Sequence, residues 1–139
     1  MKYKMISMIN DVEKLEEIRK KTIGVNTNQP SYYLEQLKNG SMIAMGALLY
    51  DELVGGVYVS NSQKSLYIEY IFVDKEHQNK GIGTNLIKYV IENKELFEKI
   101  FENKFILSKL EPNSDKIADF YKNLGYSEPN NLNVMNKRI

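Results

Sequence analysis

The order of predicted secondary-structure elements assigns this chain to a mixed α/β (α+β) fold with three layers. Apolar runs typical of strands occupy residues 42–50, 53–59 and 66–73. Segments with helical periodicity lie on both sides of these runs, at residues 12–23 and 114–124. A polar loop with two glycines, within "HQNKGIGTNLI", joins the last run to a further helix. Strands and helices in this order pack as helices on the faces of a sheet.

The N-terminal third is predicted to contain one strand and two helices. Alternating apolar residues within residues 2–9 indicate the strand. Asn10 or Asp11 is then expected to cap a helix that stops at Gly24. The segment "SYYLEQLKNG" predicts a second, shorter helix that ends at Gly40.

The middle of the chain is predicted to form a hairpin. Two apolar runs are separated by Asp51 and Glu52, a pair that leaves the turn type open. Gly55 and Gly56 weaken a strand interior, so they indicate either a β-bulge or a close approach of the backbone.

The C-terminal part is predicted to add a strand, a helix and an edge strand. "KFILSKL" has the composition of a strand, and the helix of residues 114–124 ends at Gly125. The tail "NLNVMNKRI" is expected to form the edge strand. The predicted order is therefore β-α-α-β-β-β-α-β-α-β.

Length and composition limit the classes of protein to which this chain can belong. A length of 139 residues favours one domain that spans residues 1–139. The formal net charge of +1 gives no electrostatic reason to expect nucleic acid or an anionic membrane as a partner. The absence of Cys excludes disulfides, thiolate metal sites and an acyl-cysteine intermediate. We expect a cytoplasmic protein without a metal ion.

The glycine loop, residues 78–84, has the composition of an anion-binding site. Its glycines let the backbone turn sharply, and N–H groups at a helix start suit a pyrophosphate. Lys80 adds a charge and Thr84 a hydroxyl group. A plain strand-to-helix connection is the alternative for a G-x-G motif taken alone. A P-loop sequence is absent, and Leu86 occupies the place of the third glycine in a dinucleotide-binding fingerprint.

The segment "FVDKEHQNKGIGTNLI" resembles motif A of the GNAT superfamily of acyl-CoA-dependent N-acyltransferases. Gln78, Gly81 and Gly83 match the pattern [QR]-x-x-G-x-[GA] of that motif. Asn79 stands where many members have Gly, and Asn tolerates the left-handed conformation better than most residues. The resemblance implies a central mixed sheet of about six to seven strands, flanked by about four helices.

The resemblance also implies acetyl-CoA as the acyl-donor cosubstrate and a set of cofactor contacts. Residues of the strand before the loop would contact the pantetheine, and residues of the loop would bind the pyrophosphate. The implied contacts are Ile71, Phe72, Val73, Gln78, Asn79, Lys80, Gly81, Ile82, Gly83 and Thr84.

A second resemblance covers "EPNSDKIADFYKNLGY", which is similar to the C-terminal family signature ending F-Y-x-x-x-G-[FY]. In many members the Tyr at the position of Tyr121 protonates the departing CoA thiolate, so Tyr121 is expected to contact the cofactor as a general acid. A thiol pKa of about 8.5 and a phenol pKa of about 10 are close enough for this transfer. Simple packing against Phe120 and Leu124 is the alternative. The family Asn that contacts the cofactor is displaced here, which leaves Asn113 and Ser114 as candidates.

Glu69 is the candidate general base, at a position where many relatives carry a carboxylate. Strict alternation places it on the same face as Ile71 and Val73, so it would be a charge among apolar residues. A Glu that reaches solvent or makes a structural hydrogen bond is an equal alternative. His77, the sole His, is expected to have no catalytic role.

The predicted function is N-acetyl transfer from acetyl-CoA to a primary amine of a small molecule or protein. Residues 20–40, with Tyr32 and Tyr33, are expected to shape the acceptor site by analogy with family architecture. One alternative is a catalytically weak, CoA-binding sensor or interaction module of the same fold. Another is a nucleotide-binding module unrelated to CoA. A homodimer is a further expectation from the family.

Overall fold

The computed structural model describes residues 1–24, 28–60, 66–93, 105–109, 115–129 and 134–138. Strands and helices follow one another in the predicted order, with one short 3₁₀ turn, Lys75–His77, before the third helix. The strands and helices are β1 (Lys2–Met5), α1 (Ile9–Thr22), α2 (Pro30–Asn39), β2 (Met42–Leu49), β3 (Glu52–Ser60), β4 (Leu66–Val73), α3 (Ile82–Glu92), β5 (Phe105–Lys109), α4 (Asp115–Asn123) and β6 (Val134–Arg138).

The described strands form one six-stranded sheet in the order β1-β2-β3-β4-β5-β6. Neighbouring strands are antiparallel except β4 and β5, which are parallel. A parallel pair needs a crossover connection, and α3 lies in that connection. The mixed α+β prediction is confirmed, with six strands and four α-helices in the described part of the chain.

Apolar side chains on the two faces of the sheet form two separate cores. One core contains Leu15 of α1, Tyr33 of α2 and Phe72 of β4. The other contains Leu86 of α3 and Tyr121 of α4, packed with residues of β2, β3 and β4. The sheet is therefore the middle of three layers, and the protein has two faces on which sites can be built. Among the described residues, no helix combines the length and the apolar content that crossing a membrane requires.

The first helix starts earlier than its polar residues suggested. Its N-cap is Met8, so the prediction of Asn10 or Asp11 as the cap was wrong. Asp11 instead lies in the first turn, where a carboxylate is favoured by the helix dipole, and it pairs with Lys4 at 3.0 Å. The second helix ends at Gly40, which has a left-handed φ of 80°, as predicted.

The hairpin turns one residue before the predicted pair. Tyr50 and Asp51 have φ angles of 51° and 63°, and β3 already begins at Glu52. Positive φ at both central residues is characteristic of a type I′ turn, whose twist matches that of the flanking strands.

Both interpretations of the paired glycines in β3 are confirmed. A Cβ atom at Gly55 would lie 2.8 Å from the carbonyl oxygen of Phe72, and one at Gly56 would lie 2.9 Å from a methyl carbon of Leu15. A shift in the β2–β3 register also falls next to Gly55. These glycines let β4 and α1 approach β3 closely.

Candidate functional site

A cleft of about 690 Å³ lies beside the C-terminal end of β4. Every residue between 71 and 84 that was predicted to contact the cofactor lines it, except Lys80, which is exposed. The structure thus brings the strand end and the glycine loop together in one cavity. The lining residues are Thr22, Ile23, Ile71, Phe72, Val73, His77, Gln78, Asn79, Gly81, Ile82, Gly83, Thr84 and Phe120.

Two left-handed residues shape the loop. Asn79 has φ of 63° and Gly81 has φ of 80°. Asn is among the few non-glycine residues that adopt this conformation readily, so its presence where many relatives have Gly preserves the turn. Gly81 is the N-cap of α3, and no side chain in the described part of the chain caps this end of the helix.

The start of α3 therefore offers backbone donors to the cleft. The first N–H groups of a helix have no partner within the helix, and the positive end of its dipole lies there. Ile82, Gly83 and Thr84 are the residues at this end, and all three line the cleft. This arrangement can bind a phosphate or pyrophosphate group.

The loop is tied to the preceding strand by one side chain. The Gln78 amide nitrogen donates a hydrogen bond of 2.9 Å to the backbone carbonyl of Val73. This bond holds the glycine loop at a set position relative to the end of β4. A single ligand could therefore place an anionic group on the loop and an extended segment along the strand.

Among the residues that the structure describes, the C-terminal half of β4 has a neighbouring strand on one side alone. β3 pairs with it as far as Val73, whereas β5 pairs with Leu66 to Ile68. Beyond Ile68, the edge of β4 that faces away from β3 meets no other strand among the described residues. An extended ligand with amide groups can hydrogen-bond along such an edge, as an added strand does.

Glu69 is the extra residue of a β-bulge. The register pairs Tyr58 with Tyr70 but Val59 with Ile68, so Glu69 is skipped. The prediction that Glu69 shares the face of Ile71 and Val73 was therefore wrong, because a bulge reverses the alternation on one side of it. Glu69 is exposed, and one of its carboxylate oxygens accepts a hydrogen bond of 2.5 Å from the Ser60 hydroxyl group.

The bulge directs Glu69 into a second, smaller cavity on the α1–α2 side of the sheet. It has a volume of about 210 Å³, and we call it the acceptor cavity after the role that we propose for it below. Tyr32 and Tyr33, near the start of α2, line it. The lining residues are Asn28, Tyr32, Tyr33, Gln36, Ser41, Met42, Ser60, Glu69 and Tyr70.

Tyr121 lies in the core behind the cleft. Its side chain is 3% exposed and packs against the rings of Phe120 and Tyr126. Phe120, its neighbour on α4, is the residue of this pair that lines the cleft. Asn113 and Ser114, the other predicted contacts from this part of the chain, lie outside the described residues.

Comparison with known proteins identifies the family. The family model described as "Acetyltransferase (GNAT) domain" matches residues 40–128, more than half of the chain. The chain belongs to the GNAT acetyltransferase family. The match includes the hairpin, β4, the glycine loop and α4, and with them every residue that lines the cleft except Thr22 and Ile23. A search of proteins with curated function finds no match.

Solved structures of GNAT acetyltransferases share the fold at low sequence identity. The PaiA N-acetyltransferase of Thermoplasma acidophilum in complex with coenzyme A is 16% identical over 100% of both chains, with a TM-score of 0.75. The ribosomal-protein-S18-alanine N-acetyltransferase of Escherichia coli is 13% identical over 99% of this chain and 94% of that chain, with a TM-score of 0.73. An aminoglycoside 6′-acetyltransferase type Ii is 21% identical over 99% and 97%, with a TM-score of 0.71.

A buried charged group beneath the acceptor cavity of this GNAT protein was missed at the sequence level. Glu16 and Arg19 on α1 are each 1% exposed and form a bidentate ion pair. Their sequence signal is weak but present, because Arg19 lies four residues after Leu15, on the apolar stripe of the helix. Burial alone lowers the pKa of Arg19, but the hydrogen bonds and charge of Glu16 raise it above its ordinary value.

His77 lines the cleft, although it was given no role from the sequence. Its Nδ1 atom is buried, and it has no hydrogen-bond partner among the described residues. Within the same part of the chain, no group of three or more His, Asp or Glu side chains is arranged to hold a metal ion.

Proposed function

We propose that this protein transfers an acetyl group from acetyl-CoA to a primary amine by direct attack of the amine on the thioester. One observation carries the proposal. Consecutive residues of β4 line two cavities: Ile71 to Val73 line the backbone-rich cleft, whereas Glu69 and Tyr70 line the acceptor cavity. A donor and an acceptor bound in these cavities would meet at the bulged part of a single strand.

The cleft would bind the acyl donor. The pyrophosphate would lie against the N–H groups of residues 78–84, and the pantetheine would run along Ile71, Phe72 and Val73. Backbone N–H groups near Val73 would polarise the thioester carbonyl and stabilise the oxyanion that forms on attack. The coenzyme A complex of the Thermoplasma relative, which has the same fold, supports this choice of ligand.

The acceptor cavity would bind the amine, and Glu69 would remove its proton. An alkylamine with a pKa of about 10.4 must lose a proton at a cost of roughly 4–5 kcal/mol at neutral pH before it can attack. A carboxylate in the cavity can accept that proton directly or through water. The new C–N bond then forms as the C–S bond breaks, and the thiolate leaves with a proton for which Tyr121 is our proposed donor.

Ligand binding and turnover test the proposal separately. Acetyl-CoA and CoA should raise the thermal midpoint by several degrees at a hundred times Kd, equivalent to about 2.7 kcal/mol, whereas ATP and NAD should not. Acetyl-CoA should then be consumed with a panel of primary amines. A Tyr121→Phe variant with full turnover would remove Tyr121 from the mechanism. A larger midpoint shift with ATP or NAD than with CoA would show that the cleft binds a different nucleotide and would overturn the transferase proposal.

A CoA-binding module with weak catalysis is the second candidate. It is supported by Tyr121, which is buried and does not line the cleft as the described residues form it. A midpoint shift with CoA but no turnover across the amine panel would favour this function over the transferase.

A further inference from the structure

Beneath the acceptor cavity, α1 carries a charged group that is shielded from solvent. The Arg19 Nε and Nη2 atoms donate hydrogen bonds of 2.7 Å to the two carboxylate oxygens of Glu16. The Tyr58 hydroxyl group donates a further bond of 2.8 Å to Glu16 Oε2. We call Glu16, Arg19 and Tyr58 the α1 network. None of its three residues lines the cavity.

The α1 network touches the cavity wall through aromatic rings. The Arg19 guanidinium carbon lies 4.9 Å from the ring centroid of Tyr70 and 5.8 Å from that of Tyr33. The Tyr58 ring lies 5.2 Å from the Tyr33 ring and 6.1 Å from the Tyr70 ring. Tyr33 and Tyr70 therefore contact the cavity on one side and the network on the other.

Stability alone is a weak reason for this network. Burying two charges is costly, and well-packed apolar residues of similar volume often stabilise a protein as well or better. A bidentate guanidinium–carboxylate pair does, however, hold a plane in a defined orientation, and a cation attracts the face of an aromatic ring. What the network can do and apolar packing cannot is fix the orientation of the Tyr33 and Tyr70 rings.

We propose that the α1 network is a positioning device that holds Tyr33 and Tyr70 in the geometry that binds the acceptor amine. This inference rests on the proposed function of the cavity. Arg19 would act through the two rings and would not touch the amine itself. Its loss would weaken acceptor binding and leave unchanged the cleft proposed for the donor, which is lined mainly by the glycine loop and the end of β4.

A triple variant, Glu16→Leu/Arg19→Met/Tyr58→Phe, tests the role without leaving a buried charge or hydroxyl group unpaired. We expect it to fold and to bind acetyl-CoA with unchanged affinity. The KM for the acceptor should rise about tenfold to a hundredfold, since a small misplacement of binding groups has effects of this order. The KM for acetyl-CoA should stay within about twofold.

Two further variants distinguish the positioning role from an effect of positive charge and from a general effect of altering helix α1. Arg19→Lys keeps the positive charge but loses the planar fork of the guanidinium. We therefore expect the acceptor KM of this variant to be raised over that of the unaltered protein, as in the triple variant. The control is Glu17→Leu/Lys21→Met, which removes an exposed ion pair of 3.2 Å on the same helix and should leave both KM values unchanged.

Each outcome decides the question. An unchanged acceptor KM in the folded triple variant, or an equal rise in both KM values, would overturn the positioning role while the transferase function stands. Absence of turnover in the unaltered protein would remove the proposed function and this role together.

Discussion

The cleft proposed for the donor and the cavity proposed for the acceptor share β4 and are built in different ways. The cleft consists mainly of one continuous stretch, residues 71–84, and its polar character comes from backbone groups at a helix start. The cavity collects side chains from residues 28–70, supported by the buried Glu16–Arg19 pair. A site made of backbone groups tolerates changes of side chain, so it suits a ligand that a whole family shares. A cavity made of side chains can change its specificity for the acceptor through a few substitutions.

The largest expected effect separates chemistry from donor binding. Glu69→Gln should lower kcat by about a hundredfold or more, because general-base catalysis contributes roughly 10²–10⁴-fold. Acetyl-CoA affinity, measured by calorimetry, should not change, since Glu69 does not line the cleft. Glu52→Gln, an exposed carboxylate at the start of β3, is the matched control. An unaltered kcat in Glu69→Gln would assign Glu69 to a structural hydrogen bond with Ser60.

The next effect concerns the stability of the acceptor side. Arg19→Met alone should lower the free energy of unfolding by about 3–5 kcal/mol, because it leaves the Glu16 carboxylate buried without its counter-ion. Lys21→Met, which breaks an exposed pair on the same helix, should cost less than about 1 kcal/mol. Denaturant unfolding measures both. Similar losses in the two variants would show that burial of the Glu16–Arg19 pair is unimportant.

Two glycine substitutions on the donor side should act differently from one another. Gly81→Ala places a side chain at φ of 80° and should cost about 1–2 kcal/mol of stability. Gly83 lies inside α3, and a Cβ there would lie 3.6 Å from a ring carbon of Phe120, an ordinary contact. Gly83→Ala should therefore keep or slightly raise stability, yet weaken acetyl-CoA binding because the methyl group enters the cleft. Unchanged affinity in Gly83→Ala would place the cofactor elsewhere.

The smallest predicted effect is a loss of stability at alkaline pH, and it comes from Tyr58 on the acceptor side. Burial, together with the charge of Glu16, raises the pKa of Tyr58 well above its ordinary value. Above a pH of about 10 the unfolded chain releases this proton and the folded chain keeps it, so stability falls as the pH rises. The slope from one such group is about 1.4 kcal/mol per pH unit.

Tyr58→Phe should reduce this slope in unfolding experiments between pH 10 and 11. Tyr50→Phe is the control, because Tyr50 is 95% exposed and its substitution should leave the slope unchanged. Equal slopes in the unaltered protein and in Tyr58→Phe would contradict the burial of this phenol in a protonated form.

The two regions also differ in how far the sequence predicted them. The order of elements, the extent of β4 and the glycine loop between β4 and α3 were all predicted, since hydrophobic period and glycine conformation are local properties. The face of Glu69 was predicted wrongly, because a bulge depends on the register of β3 against β4. Glu16 and Arg19 were overlooked, because their burial depends on how α1 packs on the sheet.

The sequence by itself determined the family fold of this GNAT protein and the glycine loop that lines its cleft. Periodicity selects helix or strand within a few residues, and a glycine loop shapes its own backbone, so neither requires knowledge of distant contacts. Tertiary structure alone decided the acceptor side. It set Glu69 beside Ser60, placed Phe120 in the cleft with Tyr121 behind it, and enclosed the Glu16–Arg19 pair. These features depend on register and packing between segments far apart in the chain, which local sequence patterns do not encode.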